Sequence, residues 1–257
     1  MFESCATTGP DSLVNCHDYT PFQLLLFCGG CWLWVVAYIV LLVRARRYKF
    51  LEMPMIAGAG NFGWELTYSL IWGTNMGKIA FWAYKAWLLL DLVIVYYLYT
   101  WGDKQGWSPQ MRVYYKPMFI LWTVVFVALF GVYPIDHNDH TIGAITAYAD
   151  NLLISVAYVY MITRLTDVHG LSPWVAWLKC IGTGTNTIFM FLRFPEDNFL
   201  HLLGVILFFF DIAYIYMLSL RRKRQAAGIP GVPPLDSLEP VAYPTTQGAP
   251  YVGEALS

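Results

Sequence analysis

The sequence predicts an all-α protein, a bundle of seven membrane-spanning helices with its N-terminus outside or lumenal and its C-terminus in the cytosol. Three observations predict it. The 257 residues are 58% hydrophobic and only 13% charged, where a soluble domain carries about 25% charge, so too little polar surface remains to face water. Seven apolar stretches of spanning length follow one another. Lysine and arginine gather in alternate connections between them.

The stretches fall at 21–43, 53–73, 80–101, 117–134, 143–163, 173–193 and 199–220. About 20 residues rising 1.5 Å each cross a hydrocarbon core of about 30 Å. The fourth stretch is short, and Tyr114, Tyr115 and Tyr133 flank it with side chains suited to the interface. One set of connections holds Arg44, Arg46, Arg47, Lys49, Lys104, Arg112, Lys116 and Arg164, and the C-terminal flank adds Arg221, Arg222, Lys223 and Arg224. The opposite set holds Lys78 and Arg193. Twelve against two puts the first set in the cytosol. An even number of spans would divide the basic clusters between the two sides. Lys85 and Lys179 fall inside stretches, near enough to an end to snorkel.

Residues 1–20 are polar and lack the basic start and apolar run of a cleavable leader. They form an outer segment before a helical domain at 21–224. Residues 225–257, rich in proline, glycine and small polar residues, read as a disordered cytosolic tail. No repeat of the inverted halves of many transporters is visible. The expected setting is a multi-pass protein of the endoplasmic reticulum in a eukaryote, or of the plasma membrane in a bacterium. The expected partners are membrane lipid and a lipophilic small molecule, not nucleic acid.

Four carboxylic acids lie deep in the stretches: Glu65, Asp91, Asp150 and Asp211. A charge at a helix centre costs about 2.5–3.5 kcal/mol on insertion scales, so such residues face the bundle interior and usually serve a function. Counting about 1.5 Å per residue from the cytosolic end puts them at about 18, 15, 20 and 14 Å, so four helices could bring them into one layer. Asn61, Glu65, Tyr68 and Trp72 recur at four, three and four residues and share one helix face. Tyr84, Trp87 and Asp91 share another, and Asp211 and Tyr214 are three apart. Polar groups of this kind can simply bond helices together.

A carboxyl group buried in an apolar pocket keeps its proton at neutral pH, because desolvation disfavours the anion, and a second carboxylate nearby strengthens the effect. Such a neutral acid can donate a proton. Protonating an epoxide or an alkene needs one, in a dry cavity where water cannot quench the cation. Aromatic faces stabilise passing cations, and 11 Trp, 18 Tyr and 16 Phe supply them. Most of these aromatics serve ordinary packing and interfacial belts.

At these residues the sequence resembles the small integral-membrane terpene cyclases of meroterpenoid and indole-diterpene pathways. The resemblance covers nearly the whole chain up to the tail. Asn61-Phe-Gly-Trp64-Glu65-Leu-Thr-Tyr68-Ser-Leu-Ile71 is similar to that family's N-x-x-W-E-x-x-Y-x-x-I. Asp91 to Tyr96, Ile181-Gly182-Thr183 with Phe191-Leu192-Arg193 and Pro195-Glu196, and Asp211 with Tyr214 follow in the family's order. The resemblance implies that Glu65 and Asp211 form an acid pair supported by Asp91. It implies that the substrate is a prenyl chain on an aromatic or indole unit, epoxidised or not, delivered by an upstream prenyltransferase and epoxidase. Asn61, Trp64, Tyr68, Trp72, Asp150, Asn151 and Tyr214 are the expected substrate-binding and cation-stabilising residues. The chain departs from the family pattern at Asp150-Asn151, where the family carries a neutral polar residue.

Other readings stay open. The same carboxylates suit a proton-coupled transporter or receptor. Cys28-Gly-Gly-Cys31 suits an intramembrane thiol-redox enzyme, or close packing of the first helix. Cys5 and Cys16 can pair as a disulfide if the outer side is oxidising. Asp136, His137, Asp139 and His140 could hold a metal, or form a solvated loop. The seventh stretch has no lysine for a retinal Schiff base. No phosphate loop or D-D-x-x-D appears, so ionisation of a diphosphate is not expected, and neither is a cofactor or a metal.

Overall fold

The computed structural model describes residues 9–228. Among these, every regular element is helical: α1 (Pro21–Tyr48), α2 (Met55–Thr67), α3 (Lys78–Trp101), the single turn α4 (Pro109–Arg112), α5 (Tyr115–Asp136), α6 (Ala144–Arg164), α7 (Pro173–Arg193) and α8 (Asn198–Ala226). Five of them, α1, α3, α5, α6 and α8, are long and apolar enough to cross a membrane. The other two predicted stretches are helical but broken or polar. The second is α2, 13 residues long, continued by a π-helical turn at Tyr68–Trp72. The sixth is α7, whose apolar run is interrupted by Lys179, Thr183, Asn186 and Thr187.

Helix ends explain where the boundaries moved. α1 starts on a capping box, with Thr20 and Gln23 satisfying each other's backbone N–H groups and Pro21 in the first turn. It runs to Tyr48 instead of stopping at residue 43. α8 runs to Ala226 instead of 220, so the basic clusters are extensions of helices rather than loops. Residues 225 and 226, assigned to the tail from sequence, are therefore helical, and 229–257 lie outside the described residues.

α2 is the centre of the bundle and packs against α3, α5 and α6. Its glycines make this possible. A Cβ at Gly58 would lie 2.2 Å from Leu98 of α3, and one at Gly63 would lie 2.8 Å from Phe126 of α5. Small residues let membrane helices approach this closely. α1 packs along α7 in the same way, where a Cβ at Gly30 would meet the Gly182 carbonyl at 2.7 Å. α8 closes the ring against α6 and α7, while α1 and α3 scarcely touch.

The end opposite the basic clusters is tied by side chains of the 9–20 segment. Asn15 donates its side-chain amide to the Asn75 carbonyl at 2.8 Å, and the Tyr19 hydroxyl donates to Asn75 at 2.6 Å. Cys16 is disulfide-bonded, while Cys5 lies outside the described residues.

The basic end is tied by Glu52, which the sequence reading passed over. It sits fully buried in the α1–α2 connection. Its carboxylate accepts the Ser172 backbone N–H at 2.7 Å and the Tyr214 hydroxyl at 3.1 Å. Burial pushes this carboxyl up to about 8, against the pull of those two donors and of Arg44 and Arg222. The folded state thus holds the proton more tightly than the unfolded chain, whose ordinary value is 4.5. The stability Glu52 contributes is full below 4.5 and is lost as pH rises towards about 8. Glu52→Gln should flatten that decline, so that melting temperatures of wild type and variant in detergent lie closest at low pH and draw apart as pH rises towards 8. Parallel curves would rule the linkage out.

Candidate active site

A cavity in the half of the bundle away from the basic clusters, between α1, α2, α3, α6 and α7, encloses about 770 Å³ free of protein atoms, its open mouth included. Asn61, Trp64 and Glu65 line it from α2, and Asp150 and Asn151 from α6. Trp34, Tyr38, Tyr84 and Trp87 form aromatic walls, with Tyr148 and Asn186 opposite. Tyr38 is edge-on to both Trp34 and Trp87, with ring centres 6.0 and 5.9 Å away.

Two of the four predicted acids, Glu65 and Asp150, line this cavity, and a third, Asp91, stands behind its wall. Glu65, Asp91 and Asp150 are 5%, 1% and 5% exposed. Asn61, one turn before Glu65, donates its amide to Asp91 at 2.6 Å, so Asp91 stands behind the wall and orients Asn61. Asp150 lies over the backbone of α2, where a Cβ on Gly60 would be 2.1 Å from its Oδ1. Asp91 and Asp150 are the ionisable neighbours that act on Glu65. No lysine or arginine lines the cavity. One oxygen each of Glu65, Asp150, Asn151 and Asn186 is buried without a hydrogen-bond partner. Buried polar atoms rarely go unpartnered, and convergent ones in an apolar cavity mark a ligand site.

Asp211 does not join them. Its Oδ1 accepts Lys179 Nζ at 2.5 Å and the Ser155 hydroxyl at 2.8 Å, and both ionic side chains are buried. Neither Asp211 nor Tyr214 lines the cavity. The acid pair implied by the resemblance is therefore not a spatial pair at the cavity, because α8 turns Asp211 towards α7. Lys179 does not snorkel either, as it lies within α7 facing Asp211 and 5.5 Å from the Trp34 ring centre. The ion pair stands behind the cavity wall. Thr183, one turn along α7, accepts from both Trp34 and Asn151 at 3.2 Å.

Trp64 and Tyr68 are set by a separate network. Their rings stack at 4.6 Å. The Tyr68 hydroxyl donates to Asp139, Thr146 donates to the same carboxylate, and the Trp64 indole donates to Thr146 at 3.0 Å. Asp139 thus turns inward from its loop and fixes an aromatic wall. His140 bonds Asp197 at 2.9 Å. Asp136, His137, Asp139 and His140 do not come together as a cluster, and among the described residues no three metal-binding side chains converge. Trp72 is 41% exposed and lies away from the cavity. Cys28 and Cys31 are free thiols, flanking the glycine that lets α1 pack on α7.

Residues 13–223 match the family described as Pyr4-like transmembrane terpene cyclases. The chain belongs to that family. Among its relatives in this Pyr4-like family is the Pyr4-family terpene cyclase mfmH of Annulohypoxylon moriforme. It is 23% identical over 216 residues, 78% of this chain and 86% of that protein. The terpene cyclase ascF of Acremonium egyptiacum is 32% identical over 78 residues, 30% of this chain and 28% of that one. No solved structure matches.

For a Pyr4-like chain, the cavity adds residues that sequence reasoning missed, Trp34, Tyr38, Tyr148 and Asn186, and behind them stands Asp139, read from sequence only as a metal or loop residue. Asn186 had a signal, since Lys179, Thr183 and Asn186 recur at four and three residues as a polar stripe on α7. Gly60 is the packing feature that decides where Asp150 sits. Gly60→Ala should cost about 1–3 kcal/mol by overpacking and lower the melting temperature in detergent. An unchanged melt would mean that Asp150 moves aside freely.

Proposed function

We propose that this chain crosses the membrane seven times and cyclises a lipophilic prenylated substrate by donating a proton from Glu65 to an epoxide or a terminal alkene. The observation that carries the reading is the setting of Glu65: a buried carboxyl with an unpartnered oxygen, two further acids beside it and no cation, in a cavity walled by Trp and Tyr. In such a setting a carboxylic acid is a donor rather than a salt-bridge anion.

The bond changes balance without a cofactor. With an epoxide, the Glu65 proton moves to the epoxide oxygen as the carbon–oxygen bond at the more substituted carbon breaks. A hydroxyl and a tertiary cation result. The next alkene of the prenyl chain supplies its π electrons to that carbon, and each ring closure passes the cation along. The last cation loses a proton to the Glu65 carboxylate, directly or through Asp150, which gives its own proton to Glu65 and takes the cation's, and this restores the acid and makes the reaction an isomerisation. Trp34, Tyr38, Trp64 and Trp87 offer ring faces to the moving charge. The substrate comes from two earlier reaction classes, prenyl transfer to an aromatic or indole acceptor and, for the epoxide, oxidation of the terminal alkene.

Membranes containing the chain should convert a farnesylated aromatic epoxide, or its alkene, to a polycyclic product of unchanged mass. Failure with both substrate classes would overturn the reading. A reporter fused after Arg224 should be cytosolic and one before Pro21 lumenal or extracellular, and both on one side would end the seven-span topology.

A further inference from the structure

A second space runs along the outside of the cavity. It lies between α1 and α3 in the same half of the bundle and holds about 1010 Å³ free of protein atoms, its open side included. It exists because α1 is bound to α7 and barely meets α3, and because α3 presents Ala80, Ala83 and Ala86 there. Among the described residues, no Asp, Glu, Lys, Arg or His lines it. Phe27, Cys31, Tyr84 and Trp87 line both this cleft and the cavity, so the two spaces adjoin across these side chains. On its other side Cys28, Trp32 and Ala83 are exposed at the bundle surface.

The alternatives are less suited. The end of the bundle opposite the basic clusters is closed by the Asn15 and Tyr19 bonds to Asn75 and by the Asp139 network over Trp64. A third space, at the basic end beside Trp107, Met118 and Trp122, shares no lining residue with the cavity.

We propose that the α1–α3 cleft is the lateral mouth of the cavity and the subsite for the trailing apolar part of the substrate. This rests on the cyclase reading above. A lipophilic molecule reaches the protein from the bilayer, and its reacting terminus must reach Glu65. The part that follows then lies across Phe27, Cys31, Tyr84 and Trp87. The division of polarity fits that pose, with acids and amides at the inner cavity and only hydrocarbon, ring and thiol surface in the cleft.

The test uses the full chain in membranes and a farnesylated phenol that carries a diazirine on the ring and has no epoxide. On irradiation, label should appear within 28–35 and 79–86. Excess farnesylated phenol without the diazirine should remove it, and excess hexadecane or phosphatidylcholine should not. Label centred on Trp107, Met118 and Trp122 would overturn the proposal, as would equal competition by hexadecane or phosphatidylcholine, which marks an ordinary lipid cleft. Ala83→Trp should raise KM by about tenfold or more with kcat nearly kept, and the smaller Ala83→Val should raise it less. An unchanged KM in both variants, or a loss confined to kcat, also counts against the proposal. If no substrate is cyclised but the label maps to the cleft, the cyclase reading fails and the binding site stands. If Glu65→Gln is inactive and the label lies elsewhere, the cleft fails alone.

Discussion

Glu65→Gln is expected to abolish measurable cyclisation while leaving a folded, inserted protein. Gln keeps the size of Glu and can accept the same hydrogen bonds, so only the transferable proton is removed. General acid catalysis contributes about 10²–10⁴-fold, and an epoxide in a dry cavity has no water to replace the donor. The fold should survive, because Glu65 makes no ion pair and its Oε2 has no hydrogen-bond partner. Asp91→Asn should be milder. Asn at 91 can still accept from Asn61, and Asp91 does not line the cavity. Asp150→Asn should change the distribution of products if Asp150 takes the proton from the last cation. The measurement is substrate consumed and product formed per amount of inserted protein. Near wild-type rates from a well-inserted Glu65→Gln variant would remove Glu65 as the donor, and with it the mechanism.

The sequence made some of this legible and hid the rest for a geometric reason. Position along a helix can be read at about 1.5 Å per residue, so depth was readable and all four acids were placed in one layer. Rotation of one helix about its axis relative to the next cannot be read. That rotation brings Asp150 over Gly60 and turns Asp211 away to Lys179. Of the stripe Asn61, Glu65, Tyr68 and Trp72, the first two line the cavity, while Tyr68 serves Asp139 and Trp72 lies away, both in the π-helical turn that breaks the 3.6-residue register. Glu52 is hidden because it sits in a connection, where a carboxylate ordinarily faces water, and for the same reason Asp139 reads as a metal or loop residue rather than a buried one. The glycines of α2 were visible as letters, but their neighbours Leu98, Phe126 and Asp150 come from three other helices. The cleft was invisible for the same reason, since it is a missing contact between α1 and α3.

The second large effect falls on the ion pair. Asp211→Asn leaves the Lys179 ammonium, 4% exposed, with no counter-charge and only an amide oxygen, the Ser155 hydroxyl and the Trp34 ring beside it. Breaking one side of a buried pair costs about 3–5 kcal/mol, a large share of the stability of a domain. Lys179→Met should cost as much in the other direction, by leaving the Asp211 carboxylate without its cation. Changing both together removes both charges, and the double variant Asp211→Asn with Lys179→Met should recover most of the loss. The melting temperature in detergent and the yield of inserted protein report this directly. The same three variants separate two roles for Asp211. As a support behind the Trp34 and Asn151 wall, Asp211 can be exchanged along with Lys179 and much of the activity per folded molecule should return. As a proton donor paired with Glu65, it cannot, and the double variant would be folded and inactive. That second outcome would restore the acid pair implied by the family resemblance and would require Asp211 to leave Lys179 and reach the cavity during turnover.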